Sequence, residues 1–241
     1  MKHLLLAVIL CASAVAQTKP APKTAPKAAT KAATKAPSKA KTTTTAKAKA
    51  GPAMDLLKPD TIKGKPPAIF IVRLQTSKGD IDIRVVRNWA PNGVERFYNL
   101  VRAGYYDNNY FFRVLGFMAQ VGISSVPAVN GVWEDRTLFD DQVIQSNRRG
   151  MVTFASSGQP NSRSTQFFIN KTDANTYLDQ LKFAPFGEVV AGIEVVDQLY
   201  AGYGEPPIQG ELAEFGEAII NRNYPRMDKI VKASIIAVPE P

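Results

Sequence analysis

Two runs of β-branched residues around a short polar turn constrain this chain more than any other feature. Ile69-Phe70-Ile71-Val72-Arg73-Leu74 and Ile81-Asp82-Ile83-Arg84-Val85-Val86 flank Ser77-Lys78-Gly79-Asp80, the pattern of an antiparallel hairpin with one buried face. Asp80 and Asp82 are a carboxylate pair in sequence only, because period-2 alternation puts them on the solvent face of a strand. Further short strands are expected at Phe111 to Val121, Met151 to Ala155, Gln166 to Asn170 and Ile230 to Val238. Ala90-Pro91-Asn92 opens a helix in which Val94, Phe97, Leu100 and Val101 fall at helical spacing, with Gly104 as its stop. Ile193 to Tyr200 has the pattern of a second helix. Many strands, two helices and no alternating β-α-β rhythm point to a mainly β fold, a closed barrel or a sandwich, over residues 68–238.

Charge separates this region from what precedes it. The chain has 241 residues and a net charge of +9, from 30 Lys+Arg against 21 Asp+Glu. Residues 17–52 hold nine lysines and no acid, and Lys2 is the only charged residue before them, so everything after Pro52 sums to −1. A basic globular surface for specific nucleic-acid binding is therefore not expected. Within 17–52, lysine recurs every fourth residue from Lys19 to Lys39 among Ala, Pro and Thr. Such a segment buries too little apolar surface to offset its ordering entropy, so a disordered linker is expected. It serves either as a plain spacer or as an electrostatic anchor to an anionic envelope surface. Residues 53–67 form a transition in which Pro59, Pro66 and Pro67 favour an extended path, with Leu56-Leu57 and Ile62 packing on the domain edge.

Residues 1–16 have the form of a signal peptide. A short basic start precedes the apolar run Leu4 to Leu10, and Ala14-Val15-Ala16 is a small-x-small cleavage pattern. An exported protein, periplasmic or extracellular, is expected. The apolar run is too short to span a bilayer, and no later stretch approaches the ~20 residues required, so no transmembrane segment is expected in the mature chain. Cys11 does not make a lipoprotein box, since Leu10 is not the small residue that box needs. Cleavage after Ala16 removes Cys11 and His3, the only cysteine and histidine. Cys- or Ser–His nucleophilic catalysis and His-containing zinc sites are then unavailable.

Four ordered runs in the β region share a pattern. They are Phe111-Phe112-Arg113-Val114-Leu115-Gly116-Phe117-Met118-Ala119-Gln120, then Phe154-Ala155-Ser156-Ser157-Gly158 with Ser164-Thr165-Gln166-Phe167-Phe168-Ile169, then Tyr177-Leu178-Asp179 leading through Phe183-Ala184-Pro185-Phe186-Gly187-Glu188-Val189-Val190 to Asp197, and the early helix from Ala90 to Tyr106. Together they strongly resemble the cyclophilin-type peptidyl-prolyl cis-trans isomerases. The resemblance implies a closed eight-stranded antiparallel β-barrel capped by two α-helices, acting on proline-containing polypeptides with no cofactor and no metal. A monomer is expected.

The chemistry so implied is rotation about an X-Pro bond, which breaks no covalent bond. Amide resonance puts about 18–20 kcal/mol in the way. A site that holds the twisted amide, whose prolyl nitrogen regains a lone pair, lowers that barrier, and a rigid, permanently charged guanidinium suits the task. The resemblance assigns this role to Arg113. It assigns Phe117, Met118, Phe168 and Leu178 to the proline pocket, with Phe183 where many members carry histidine. Gln120 orients the arginine, Ala155 and Ser156 line the channel for residues preceding proline, and Gln166 belongs to the same set. Judged by periodicity alone, Phe117, Met118 and Phe168 are ordinary core residues.

This chain departs from the family pattern in three places. The Arg113 to Phe117 segment is one residue shorter than the usual Arg-x-x-Pro-Gly-Phe, so a different bulge is expected there, and the stretch before Gln166 is one residue longer. Tyr177 stands where cyclosporin-sensitive members carry tryptophan, so weak cyclosporin binding is expected. Asp140-Asp141 and Trp133-Glu134-Asp135 are expected to be solvated loop residues. Gly202 to Gly216 lacks a Gly-Lys-Ser/Thr ending and has the composition of a surface loop. The alternative to an isomerase is a non-catalytic proline-peptide-binding or chaperone module tethered at the envelope by its basic tail.

Overall fold

The computed structural model describes residues 54–205 and 208–238. The expected signal peptide (1–16), Cys11 and the Lys-rich linker (17–52) lie outside the described residues. The first hairpin forms as its pattern demands. β1 (Ile69–Thr76) pairs with β2 (Gly79–Val86) in unbroken antiparallel register across a two-residue turn, Ser77-Lys78. Phe70, Val72 and Leu74 face the core with Ile81, Ile83 and Val85. On the opposite face Arg73 donates from Nε and Nη2 to the two oxygens of Asp82, both at 2.7 Å. The acidic pair is thus a strand-surface ion pair, as alternation requires.

Seven more strands complete the sheet: β3 (Asn109–Tyr110), β4 (Arg113–Val114), β5 (Met118–Val121), β6 (Met151–Phe154), β7 (Phe167–Asn170), β8 (Pro185–Ala191) and β9 (Lys229–Ala237). Their order is β3-β9-β1-β2-β8-β6-β7-β5-β4, with all pairs antiparallel. This corrects the expected closed eight-stranded barrel, because the sheet is an open, curled half-barrel of nine strands. The single strand expected from Phe111 to Val121 is interrupted into β4 and β5, which pair with each other, and β3 just before it lies at the far edge of the sheet. β3 bonds to β9 at one edge and β4 bonds to β5 at the other, so Phe111-Phe112 carries the chain between the two edges. Chain continuity, not a hydrogen-bonded ladder, joins them.

Helix α1 (Pro91–Arg102) has proline in its first turn, where the missing N–H costs nothing. Its free N–H groups at Asn92 and Gly93 donate to the Asp141 carboxylate at 3.0 and 2.8 Å, an anion at the positive end of the helix. Gly104, at φ +73°, ends it. Phe97 carries α1 into the core, with ring centroids 4.8 Å from Phe186 and 5.4 Å from Phe167 and Tyr106.

Five α-helices, not two, occur among the described residues. Besides α1 they are α2 (Pro127–Trp133), α3 (Ile193–Gln198), α4 (Ile208–Phe215) and α5 (Glu217–Asn223). Residues expected as a surface loop therefore include α4. Ile208, Leu212 and Ile220 bury themselves with Tyr110, Phe112, Ile123 and Met227 in a cluster separate from the main core. Trp133 is also buried rather than solvated, its indole N–H donating to Leu56 O at 2.8 Å. Asp140 pairs with the buried Arg163. In the transition segment Ile62 is buried and Leu56 packs on the core, but Leu57 is exposed and Pro59–Thr61 is a 3₁₀ turn, not an extended run. No helix among the described residues is long and apolar enough to cross a membrane.

Candidate active site

Alternation along three adjacent strands builds the site. β5, β6 and β7 are buried on both faces. Ala119, Val121, Val152, Phe154, Phe167 and Ile169 enter the main core. Their neighbours point the other way, and register aligns them: Arg113 lies opposite Gln120, Gln120 opposite Phe168, and Phe168 opposite Thr153. Directly opposite residues share a face of the sheet at close range. One row therefore sets a guanidinium, an amide, an aromatic ring and a hydroxyl side by side.

The polar end of the row is connected. Arg113 Nη1 donates to Gln120 Oε1 at 3.4 Å, and Gln120 Nε2 donates to Gln166 Oε1 at 2.9 Å. Gln166 is held by a tight approach of two chain segments. Gly122, at φ +116°, lies so close to them that a Cβ there would stand 2.6 Å from Gln166 Cα and Thr165 O. Thr165 Oγ1 donates to Gly122 O at 2.9 Å, and the Tyr106 hydroxyl donates to Thr165 O at the same distance. Burial pushes the neighbouring Tyr105 hydroxyl up to about 12, so it stays a proton donor and donates to Gly122 O.

The apolar end is a cluster of its own. Met118, Ala155, Phe168, Leu178 and Phe183 are buried together, with the half-buried Leu115 and Phe117 packed against them. Phe168 and Phe183 meet edge to face at 5.9 Å. The shortened Arg113 to Phe117 segment does not produce the expected bulge. Arg113↔Gln120 and Val114↔Ala119 pair in simple register, and Leu115 N donates to Met118 O at 2.8 Å, closing a tight hairpin. Arg113, Gln120 and Gln166 are thus linked by hydrogen bonds, and Phe117, Met118, Ala155, Phe168, Leu178 and Phe183 are brought together in the apolar cluster. Ser156, next to Ala155, is buried, and its hydroxyl is engaged by Ser162 Oγ at 2.9 Å and the Gly158 N–H at 3.1 Å.

Several supporting residues carried no signal in the sequence. Asn175 Nδ2 donates to Phe117 O at 2.9 Å, fixing the hairpin tip. Asn147 Nδ2 donates to both Phe183 O (2.7 Å) and Asp179 Oδ1 (2.8 Å), clamping the wall that carries Leu178. Burial raises the Asp179 carboxyl, but hydrogen bonds from Ser146 and Asn147 outweigh it and leave the group below its ordinary value. Arg163, paired with Asp140, lies 5.3 Å over the Phe183 ring. Glu205, from the segment expected to be a plain loop, accepts from Arg113 Nε at 2.5 Å and also from Nη2. A lone Asn or Glu in a polar stretch resembles any solvated residue, and only the folded contacts single these out.

A cationic, multidentate donor beside a mostly buried apolar pocket suits a ligand with an amide next to a compact ring. Residues 71–211 match the family described as cyclophilin type peptidyl-prolyl cis-trans isomerase/CLD. Over 132 residues the chain is 37% identical to the peptidyl-prolyl cis-trans isomerase cyp15 of Rhizopus delemar, covering 52% of this chain and 20% of that protein. It is 34% identical over 133 residues to peptidyl-prolyl cis-trans isomerase A of Dickeya dadantii, covering 53% of this chain and 70% of that one. The crystal structure of a Cryptosporidium parvum cyclophilin type peptidyl-prolyl cis-trans isomerase superposes with a TM-score of 0.52 at 25% identity, over 71% of this chain and 99% of the other. Ordered motifs, fold and matched length agree, and the chain belongs to the cyclophilin-type peptidyl-prolyl cis-trans isomerase family.

Proposed function

We propose that this cyclophilin-type isomerase accelerates rotation about X-Pro bonds on the face built by Arg113, Gln120 and Phe168, and that its clients are exported proteins. The observation that carries the catalytic reading is the register-aligned row joining Arg113 to the apolar cluster. The proline ring is gripped by Phe117, Met118, Phe168, Leu178 and Phe183 while the acyl part turns. Arg113 donates to the amide as resonance is lost, and Gln120 holds the guanidinium in line.

Magnitudes show why the pocket matters as much as the arginine. An acceleration of about 10⁵ requires roughly 7 kcal/mol, at 1.36 per tenfold. One charge-assisted hydrogen bond contributes only about 1.5–3 kcal/mol. Desolvation and holding the chain in a bent pose supply the remainder. The test is cis-trans exchange of an X-Pro peptide. The purified chain is expected to accelerate exchange, with kcat/KM in Arg113→Ala falling by about 10²–10³, the usual effect of removing a preorganised donor. Unchanged turnover in that variant refutes the mechanism, and binding without exchange by the unmodified protein refutes the isomerase reading in favour of a peptide-binding module.

The export reading is supported by the basic start, the Leu4 to Leu10 apolar run and the Ala14-Val15-Ala16 pattern, and tethering by the nine lysines of residues 17–52. Fractionation of cells expressing the full chain tests the first. Binding of the full chain and of a variant lacking 17–52 to anionic vesicles tests the second.

A further inference from the structure

The guanidinium that the proposed mechanism needs already has an acidic partner. Glu205 Oε1 accepts from both Nε and Nη2 of Arg113, while Nη1 is directed to Gln120. Tyr203, two residues before Glu205, is held by several contacts. The Tyr203 ring lies 4.9 Å from Tyr200 and 5.2 Å from Tyr224, and its hydroxyl accepts from the Arg226 N–H at 3.0 Å. The helices that follow pack on Tyr110 and Phe112, the residues leading directly into Arg113. Glu205 is thus delivered to the site by a folded structure.

The pair is asymmetric. The Arg113 side chain is 13% exposed and that of Glu205 54%. The carboxylate therefore approaches from the solvent side, which a peptide must also use to reach the guanidinium. Glu211, Glu214 and Glu217 follow, against Arg222 alone among Lys and Arg in residues 202–223, so that side of the site carries negative charge. An ion pair this open to water contributes little and can be exchanged for a substrate contact.

We propose that Glu205 is a specificity-determining residue, competing with the substrate amide for Arg113 and favouring peptides with a cation beside the proline over those with an anion. This rests on the isomerase reading above. With Glu205 in place the charge of Arg113 is cancelled, and once displaced its carboxylate is free to meet a substrate Lys or Arg. Without it Arg113 is an unopposed cation that attracts an acidic peptide.

The experiment compares kcat/KM for Lys-Pro, Ala-Pro and Glu-Pro test peptides in the full chain, Glu205→Gln and Arg113→Ala, at low and high salt. Glu205→Gln is expected to raise turnover of the neutral peptide a few-fold and to lower the Lys-Pro to Glu-Pro ratio by about fivefold, the scale of an exposed ion pair. The change in ratio should shrink at high salt. Glu205→Ala should shift the ratio the same way. A ratio unchanged in both variants, with the unmodified chain active and Arg113→Ala impaired, overturns the role of Glu205 and leaves the isomerase reading intact. No acceleration of any peptide by the unmodified chain overturns both.

Discussion

On one face of β5, β6 and β7 stand Ala119, Val121, Val152, Phe154, Phe167 and Ile169; on the other stand Met118, Gln120, Thr153 and Phe168. Both faces are buried, and both are rich in large apolar groups. What differs is the cover. Helix α1 and the first hairpin seal the inner face, where Phe167 meets Phe97, Tyr106 and Phe186 at 5.2–6.3 Å. The outer face is covered by short segments carrying Leu178 and Phe183, with Phe117 and Leu115 left half-buried, and it ends in a polar strip. An apolar side chain becomes part of a site when the surface above it is small enough to leave an edge open and a charged donor lies next in register.

The sharpest way to break this comparison is to truncate adjacent residues of β7. Phe167→Ala should cost about 3–5 kcal/mol, as for a well-packed core aromatic, and lower activity only as far as it lowers the folded fraction. Phe168→Ala has one ring partner, Phe183, so denaturant melts should show a smaller loss, with kcat/KM falling well below the melting temperature. Equal losses of stability and intact turnover in Phe168→Ala would place that face in the core.

Gly122→Ala probes the link between the faces. Its Cβ meets backbone that cannot swing aside, at a φ of +116° that alanine resists. A loss of about 1–3 kcal/mol is expected, along with reduced activity from displacement of Gln166. Full activity in a folded variant would show that Gln166 is dispensable.

Acid should loosen the outer face through Asp179. Its folded-state value lies below that of the unfolded chain, about 3.9 for an aspartate. The stabilisation is therefore complete above that value and is lost as pH falls through the lower folded one. Thermal melts of Asp179→Asn against the unmodified chain should differ most near neutrality and converge in acid; a pH-independent difference would contradict this. The smallest effect concerns Tyr177, which is partly exposed. Cyclosporin should inhibit weakly, Tyr177→Trp should bind it more tightly, and submicromolar inhibition of the unmodified chain would refute the expectation.

Much of the fold was legible because the signals are local. The 69–86 hairpin follows from alternation and a turn, and α1 from Pro91, its apolar spacing and Gly104. The pocket set was legible through ordered motifs, though periodicity by itself assigned Met118 and Phe168 to the core. Three readings failed for a common reason. Phe111 to Val121 has one continuous β texture, yet it is broken into β4 and β5, and Phe112 leaves the ladder to pack against Ile208, Leu212 and Ile220 from far along the chain. Residues 208–215 look like loop in isolation, since the glycines at 202, 204, 210 and 216 interrupt the stretch; packing of Ile208 and Leu212 on Tyr110 and Phe112 stabilises the helix. Asp140 and Asp141 look solvated until Arg163 and the α1 N-terminus reach them from distant parts of the chain.

The sequence by itself determined the charge division between tail and domain, the mainly β character and the family, and it named the candidate pocket residues, because composition, period and motif are properties of neighbouring residues. Tertiary structure decided that the sheet stays open, that α4 and α5 form, and that Glu205 faces Arg113 across 92 positions of chain. Those outcomes depend on which surfaces meet, and contact between distant segments is set by packing, which no local pattern encodes.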